Sequence, residues 1–469
     1  MTTTKAGAFV ASAMLTLAAC AHYEPHPIDL SDTATQQFSR ALDMARIAAI
    51  REKIAPEAPG IDVQSPDRLW LLAAILANDP KVATAQAAVV TAEARAKAER
   101  HVVAPTLTLT GEYANDPSTS SPWLIGGAVD FPLDMGGRRG ARLRTADLDV
   151  TIARYNFAET LWSERMAARR ALIDQFIAEQ RITVDQELLE LRDRQLAVAE
   201  RRVKAGAASN ADAEVVRLTR DAAARDLALA QSQLAQSDEA LAAILGVPAT
   251  ALADKEWAWA DFDTPVAPPM GAKNTDARIG AITARGDVLK ALADYDRTDA
   301  AYRGEIAKQF PALTLSPGYT WERGLVKLPL SVGLALPPLD LNRHAIASAS
   351  KARDEAGKHL EEVVAAASNA IDAALVEQGQ AMSVLREIEK HDLPAATAAA
   401  KRADYRLQSG DIDRAEWANE QTALLEARRR EIDALARAQA AQAALEDAMR
   451  KPLEGPEMLM TVSALEVVR

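Results

Sequence analysis

A repeat of about two hundred residues is the feature that most constrains how this chain can fold. Pro105-Thr106-Leu107-Thr108-Leu109 is matched 206 residues later by Pro311-Ala312-Leu313-Thr314-Leu315, and Phe131-Pro132-Leu133-Asp134 is matched at the same distance by Pro337-Pro338-Leu339-Asp340. Gly206 and Gly410 stand opposite each other at nearly this spacing, 204 residues. Anchor points that share one spacing indicate a duplicated structural unit. The sequence therefore predicts two copies of one unit, with further segments before, between and after them.

Each copy contains a very long helical stretch. No Gly or Pro occurs from Ala141 to Ala205, and a helix of that length is about 98 Å long. The second copy has the same stretch from Arg343 to Ser409, where Pro394 predicts a kink or a break. Only 4% of the residues are aromatic and 26% are charged, which suits long helices rich in Ala, Leu, Glu and Arg. The predicted fold is mainly α with a small β part.

Both long helices end in the same kind of turn. Cations precede Gly206 and Gly410, and short polar residues that commonly cap helices follow them. Each copy is therefore predicted to be a helical hairpin. The candidate residues of the two hairpin tips are Gly206, Ser209, Asp212, Gly410, Asp411, Asp413 and Glu416.

Four short segments alternate with period two, at about 105–114, 123–132, 311–322 and 326–336. In the last of them Leu328, Leu330 and Val332 point one way, while small and polar residues point the other. Strands of this length and pattern suit a barrel in lipid, but ordinary half-buried strands of a soluble sheet are the alternative. Four strands cannot close a barrel, so several chains must contribute, and three would give twelve strands. Aromatic residues that could form an interfacial girdle lie near the hairpin ends: Tyr113, Trp123, Tyr319 and Trp321.

The beginning of the chain reads as a bacterial lipoprotein leader. Lys5 precedes an apolar run that ends in Leu17-Ala18-Ala19-Cys20, and the run is too short to span a membrane. We expect residues 1–19 to be a signal peptide and Cys20, the only cysteine, to carry acyl chains. A buried structural cysteine is the alternative.

Composition and motifs argue against several other classes of protein. A net charge of -12 and a pI near 5.2 do not suit a nucleic-acid binder. The six His and the single Cys have no metal-ligand spacing, and His22 and His26 fit a tether better than a cation site. Gly136-Gly137 lacks the Lys and Ser/Thr of a phosphate loop. We expect no catalytic residues, no metal, no cofactor and no enzymatic activity.

In the order and duplication of its motifs the chain resembles the TolC/OprM family of outer-membrane factors. The resemblance covers nearly all of the mature chain and rests on Asn78-Asp79-Pro80, Arg285-Gly286-Asp287-Val288, Phe310-Pro311-Ala312-Leu313 and the turns at Gly206 and Gly410. Gly286 departs from the family, which usually has Pro there. The resemblance implies a homotrimer with a twelve-stranded β-barrel, a long periplasmic α-barrel and an equatorial region. It also implies partners: a periplasmic adaptor at the hairpin tips and an inner-membrane pump of the RND type.

Two finer features follow from the resemblance. The stretches 132–139 and 336–343 are similar to the branch that serves heavy-metal pumps of the cobalt-zinc-cadmium type. Family members often narrow the periplasmic end with carboxylates, so Glu416 is a candidate for lining a closed aperture as well as for capping.

These observations divide the chain into a signal peptide, a lipid-anchored equatorial segment, repeat 1, an equatorial linker, repeat 2 and an equatorial tail, at residues 1–19, 20–65, 66–246, 247–284, 285–450 and 451–469. The predicted function is a passive exit duct of a tripartite efflux pump in the outer membrane. The competing hypothesis is a periplasmic coiled-coil lipoprotein that acts as an envelope scaffold or adaptor and has no transmembrane strands.

Overall fold

The computed structural model describes residues 23–60, 64–101, 104–115, 121–134, 136–267, 275–322 and 324–460. The fold is mainly helical, with one small sheet. The helices are α1 (Leu30–Phe38), α2 (Met44–Ile54), α3 (Arg68–Asn78), α4 (Pro80–Glu99), α5 (Arg138–Lys204), α6 (Asn210–Ile244), α7 (Thr275–Thr283), α8 (Gly286–Ala307), α9 (Arg343–Glu387), α10 (Leu393–Ser409) and α11 (Arg414–Met449). The strands are β1 (Thr106–Tyr113), β2 (Trp123–Leu133), β3 (Ala312–Glu322), β4 (Leu325–Lys327) and β5 (Leu330–Ala335).

The same order of elements occurs twice. A helix of about twenty residues (α4 or α8) leads into strands, a long helix follows, and a returning helix packs along it. Helix α5 has 67 residues and is therefore about 100 Å long. A short π-helical segment, Ile388–Asp392, separates α9 from α10. It ends two residues before Pro394, which has no N–H to donate within a helix. The expected interruption therefore takes the form of a π turn within an otherwise continuous helix.

One antiparallel sheet joins the two copies. The strand order is β1-β2-β3, and both β4 and β5 pair with β3. The central pairing of β2 with β3 brings Ile125 opposite Trp321 and Phe131 opposite Leu315. Strand β1 forms one open edge of the sheet, and β4 with β5 forms the other.

The fourth predicted strand, residues 326–336, is not one continuous strand. It is broken into β4 and β5, with Leu328 and Pro329 between them. Pro329 cannot donate to the ladder and lies against Gly318 of β3, the residue after Pro317, which cannot donate either. The carbonyl of Pro329 still accepts a hydrogen bond from the Gly318 N–H at 2.7 Å. The two short strands therefore remain in line along the same edge.

The buried core lies where the two repeated units contact the segments that precede, separate and follow them. Every residue of α3 is buried, and α3 packs against α2, α4 and α5. The Glu256 and Ala258 N–H groups donate to the Gln64 and Pro66 carbonyls, both at 2.9 Å. Three buried glutamines of α9 and α11 bind the backbone of residues 262–266: Gln378, Gln439 and Gln442. Segments that are far apart in sequence are thus fastened to the middle of the long helices.

Helix α8 begins at Gly286. In the TolC/OprM family, which the sequence resembles, this position usually holds proline. A Cβ atom at this position would lie only 2.5 Å from Oε1 of Glu159. The other carboxylate oxygen of Glu159 accepts a hydrogen bond from Arg450 at 3.0 Å. A residue without a side chain leaves room for the carboxylate of Glu159 in its present position.

Candidate functional site

The sheet has one large exposed apolar surface, which we call the apolar face. In an antiparallel pair, opposite residues point to the same side, and the register places the predicted apolar residues of all strands together. Leu109 is 76% exposed and Leu330 is 67% exposed. The exposed members are Leu107, Leu109, Tyr113, Trp123, Ile125, Phe131, Leu133, Tyr319, Val326, Leu330, Val332 and Leu334. A contiguous apolar surface of this extent is typical of a site that contacts lipid or another protein.

The opposite face of the sheet carries mainly small and polar residues, with Leu124 and Leu325 as apolar exceptions near the hairpin ends. Thr106, Thr108 and Thr110 alternate along β1 with the leucines of the apolar face. The hydroxyl of Thr108 donates to the carboxylate of Asp130 on β2 at 2.9 Å. The period-two assignment of residues to two faces is therefore confirmed by the register, and only one of the two faces suits an apolar environment.

The four predicted aromatic residues share the apolar face. Tyr113 and Trp123 are opposite each other at the end of the β1–β2 hairpin, and their ring centroids are 5.0 Å apart in an edge-on arrangement. Trp321 is opposite Ile125, and Tyr319 is opposite Gly127. The structure therefore brings all four toward one end of the sheet, as an interfacial band requires.

The two hairpin tips have the same backbone structure at the ends of α5 and α10. The φ angles of Gly206 and Gly410 are 73° and 81°, so both glycines have the left-handed conformation that often ends a helix. The N–H of each following residue bonds back to a carbonyl of the helix, Ala207 to Arg202 and Asp411 to Arg406, both at 2.8 Å. This is the Schellman arrangement, which satisfies carbonyls that the helix end leaves free. Both turns lie at the far end of their helices from the sheet.

The polar residues of the tips are engaged within the chain. Ser209 and Asp212 form a capping box at the start of α6, and Asp413 accepts from the Ala415 and Glu416 N–H groups at 2.8 Å. Asp411 accepts from the Ser409 hydroxyl at 2.7 Å rather than capping a helix. Glu416 pairs with Arg406 at 3.1 Å. These side chains are all exposed, so the pairs leave a polar surface at each tip.

A set of buried charges in the middle of the molecule was missed by sequence reasoning. Its members, which we call the charge cluster, are Arg68, Arg165, Arg169, Glu446, Glu454 and Glu457, and each is at most 6% exposed. They come from α3, α5, α11 and the segment that follows α11.

Ion pairs connect the whole charge cluster. Glu446 accepts from Arg165 at 3.1 Å and from Arg169 at 3.0 Å. Glu454 accepts from Arg169 at 2.9 Å and from Arg68 at 3.0 Å, and Arg165 also donates to Glu457 at 3.0 Å. Three cations balance three anions, so the cluster is neutral as a whole. Burial alone disfavours the charged form of Glu457, but the surrounding guanidinium groups outweigh it and hold the pKa of Glu457 below its usual value.

Comparison with known proteins agrees with this architecture. Residues 71–247 match the family model described as "Outer membrane efflux protein". A solved structure of CusC matches with a TM-score of 0.67 at 16% identity, covering 92% of this chain and 100% of that one. VceC from Vibrio cholerae matches with a TM-score of 0.66 at 16% identity, covering 82% and 96% of the two chains. The outer-membrane channel OprN matches with a TM-score of 0.67 at 17% identity, covering 93% and 99%. No curated protein matches the chain in sequence.

The chain has the fold of an outer membrane efflux protein. The family model covers the first copy of the unit, and the structural matches extend the likeness over both copies. The apolar face, the tips and the charge cluster therefore lie on the strands and the helical hairpins of this fold.

Several expectations concern parts that the structure does not describe. Cys20, the predicted lipidation site, and His22 lie outside the described residues, as does the tail from residue 461.

In the described ranges, no three or more His, Cys, Asp or Glu side chains are grouped so as to hold a metal ion. None of the described helices combines the length and the apolar character that a membrane span needs.

Proposed function

We propose that the chain is the exit-duct subunit of a tripartite efflux pump in the outer membrane, built as a homotrimer. The observation that carries the proposal is the sheet, which has an exposed apolar face, a polar opposite face and two open edges. A sheet of this kind suits lipid on one side and a water-filled passage on the other.

The open edges of the sheet support assembly from several chains. Backbone groups at an open edge have no partner, and lipid does not tolerate them. Strand β1 of one protomer can complete the edge formed by β4 and β5 of the next. Because β4 and β5 lie in line, each chain contributes four strand positions, and three chains close a barrel of twelve strands.

The length of the helical hairpins suits a duct that extends across the periplasm. Helix α5 extends about 100 Å from the sheet to its tip, so the tips lie where a periplasmic adaptor would meet the duct. We propose that residues around Gly206 and Gly410 dock that adaptor, which links the duct to an inner-membrane pump of the RND type. The duct is passive, catalyses no reaction and takes its energy from that pump. Acyl chains on Cys20 provide a second anchor in the outer membrane.

Two measurements test this proposal. The purified chain should form stable trimers that conduct ions in a planar lipid bilayer. In cells, photo-crosslinkers at Ala207 and Asp411 should capture a periplasmic adaptor, while a crosslinker at the exposed residue Glu52 of α2 serves as the matched control. A monomer without conductance would end the duct proposal, and capture from Glu52 alone would end the docking proposal.

The periplasmic coiled-coil lipoprotein remains the second candidate, because long helical hairpins alone would serve a scaffold. It gives no role to the apolar face of the sheet. The discriminating observation is whether the strands resist alkaline extraction from membranes and whether unheated protein migrates as a compact barrel in detergent gels. Complete alkaline extraction would favour the scaffold.

Heavy-metal cations are the proposed cargo, and this part rests on the sequence stretches 132–139 and 336–343 alone. Deletion of the gene should sensitise cells to cobalt, zinc or cadmium, and the intact gene should restore resistance. Sensitivity to organic compounds alone would assign a different cargo to the same duct.

A further inference from the structure

Positive charge is concentrated where the sheet meets the helices. Four short stretches lie there, at 97–101, 134–144, 303–310 and 340–344, and together they form what we call the basic collar. They contain nine Lys and Arg against four Asp and Glu, a formal charge of +5, in a chain whose net charge is -12. Three of these cations pair with carboxylates just outside the stretches, Arg100 with Asp147, Arg144 with Asp296 and Arg303 with Asp299. With these partners included, the collar still has a formal charge of +2 in an acidic chain.

Hydrogen bonds make the collar one continuous surface. Arg139 donates to the Arg100 carbonyl at 3.0 Å, and Arg138 donates to the Phe310 carbonyl at 2.5 Å. Asn342 donates to the backbone carbonyl of Glu305 at 2.9 Å. These contacts bring the starts of α5 and α9 together with the ends of α4 and α8 beneath the sheet.

Part of this positive charge is not neutralised inside the chain. Arg142 pairs with Glu99 at 3.1 Å and Arg100 with Asp147 at 2.7 Å. Within the described residues, however, Arg139 and Arg343 have no carboxylate partner, and both are exposed. Both stand in the first turn of a long helix, where the helix dipole disfavours cations. Their presence there opposes helix stability. The fold offsets this only in part, because Arg139 donates to the Arg100 carbonyl at the negative end of α4, so an external anion would relieve the remaining repulsion.

The collar adjoins the apolar face. Leu133 ends β2 five residues before Arg138, and Phe310, whose carbonyl binds Arg138, is 53% exposed. Leu336 and Leu339, between β5 and Arg343, are also exposed. Apolar side chains followed directly by unpaired cations match a phospholipid, in which acyl chains are followed by a phosphate.

We propose that the basic collar binds the headgroups of anionic phospholipids at the periplasmic surface of the outer membrane, with Arg139 and Arg343 as the contacting cations. The proposal rests on the proposed function, because it requires the apolar face to lie in lipid. Basic residues at a membrane surface each contribute to attraction of anionic lipid within a short distance. The collar would then set how deeply the protein sits in the bilayer, independently of any acyl anchor.

The test uses the full-length trimer purified in detergent. Its thermal midpoint of dissociation is measured with added phosphatidylglycerol, with zwitterionic phosphatidylcholine, or with inorganic phosphate. We expect phosphatidylglycerol to raise the midpoint more than the other two additions. The Arg139→Gln/Arg343→Gln variant should lose about half or more of this response. The Lys401→Gln/Arg402→Gln variant removes the same charge from an exposed part of α10 and should keep it.

Four outcomes would overturn the proposal. An equal response of both variants would show that the collar is not the lipid site, and an equal effect of inorganic phosphate would show that free anions suffice. Loss of the trimer in Arg139→Gln/Arg343→Gln before any lipid is added, with recovery in Arg139→Lys/Arg343→Lys, would assign these cations to contacts between protomers. A wild-type protein that conducts in bilayers but ignores phosphatidylglycerol would refute this inference and leave the proposed function standing.

Discussion

Removing the negative charge of Glu446 should destabilise the protein far more than removing an exposed carboxylate. Glu446 is 0% exposed and accepts from Arg165, from Arg169 and from the Leu453 N–H at 3.0 Å. The Glu446→Gln substitution keeps the size of the side chain but leaves three buried cations facing two anions. Removing one partner of a buried ion pair typically costs about 3–5 kcal/mol, because the remaining charge is neither paired nor hydrated.

The free energy of unfolding can be measured by guanidinium titration followed by far-ultraviolet circular dichroism, which reports on the helices. The matched control is Glu377→Gln, which breaks an ion pair with Arg437 at 2.9 Å in which both side chains are about half exposed. An exposed pair contributes about 0–1 kcal/mol. Equal losses for the two variants would refute the argument that charge balance in the cluster stabilises this fold.

Two further measurements on the same cluster separate charge from packing. Adding Arg169→Met to Glu446→Gln restores neutrality, so the double variant should be more stable than the sum of the two single effects predicts. The lowered pKa of Glu457 means that its stabilising contribution is present above its unfolded pKa, about 4.3. This contribution is lost as the pH falls through the lower folded pKa. The Glu457→Gln variant should lack that part of the acid dependence, and an unchanged acid profile would contradict the lowered pKa.

Three other substitutions test the sheet, the tips and the anchor. Leu330→Arg should cost about 2–4 kcal/mol near a bilayer midplane and reduce the trimer recovered from membranes, whereas Ser331→Arg should not; equal losses would contradict the assigned faces. Gly410→Val places a β-branched residue at a φ of 81°, a strain of about 1–2 kcal/mol, and should impair efflux while the trimer persists in the outer membrane; normal efflux would argue against docking at this tip. Cys20→Ser should abolish labelling by a palmitate analogue, and equal labelling of wild type and variant would exclude lipidation at Cys20.

Helix ends and strand faces could be predicted because their signals are local. Gly206 and Gly410 follow cations and precede capping residues, and the structure has a left-handed turn at each. The alternation along β1 to β5 likewise specifies which side chains share a face, since the period of a strand is two residues. The pairing of β1 with β2 in a hairpin then places the apolar side chains of the two strands on the same side of the sheet.

The charge cluster could not be predicted because its partners are distant in sequence and ordinary in composition. Arg68 and Glu454 are 386 residues apart, and Arg and Glu on a helix usually indicate a solvated surface. Nothing local distinguishes buried Glu446 from exposed Glu377. The break at Pro329 was also missed, since the alternation of Leu328 and Leu330 continues through it. In both cases the tertiary context decided the outcome.

The π turn at Ile388–Asp392 affects how alike the two copies can be. Helix α5 has 67 residues, and α9, the π turn and α10 together have the same number. An α-helix rotates by about 100° per residue, and a π turn contains one extra residue. The side chains after the π turn are therefore shifted by about 100° around the helix axis. The two rods therefore match in residue count but end out of phase, with α10 presenting a different stripe to its neighbours. In the proposed ring of three chains, two kinds of seam would then alternate, so the hairpin tips would have threefold symmetry although the duplicated sequence alone suggests sixfold symmetry.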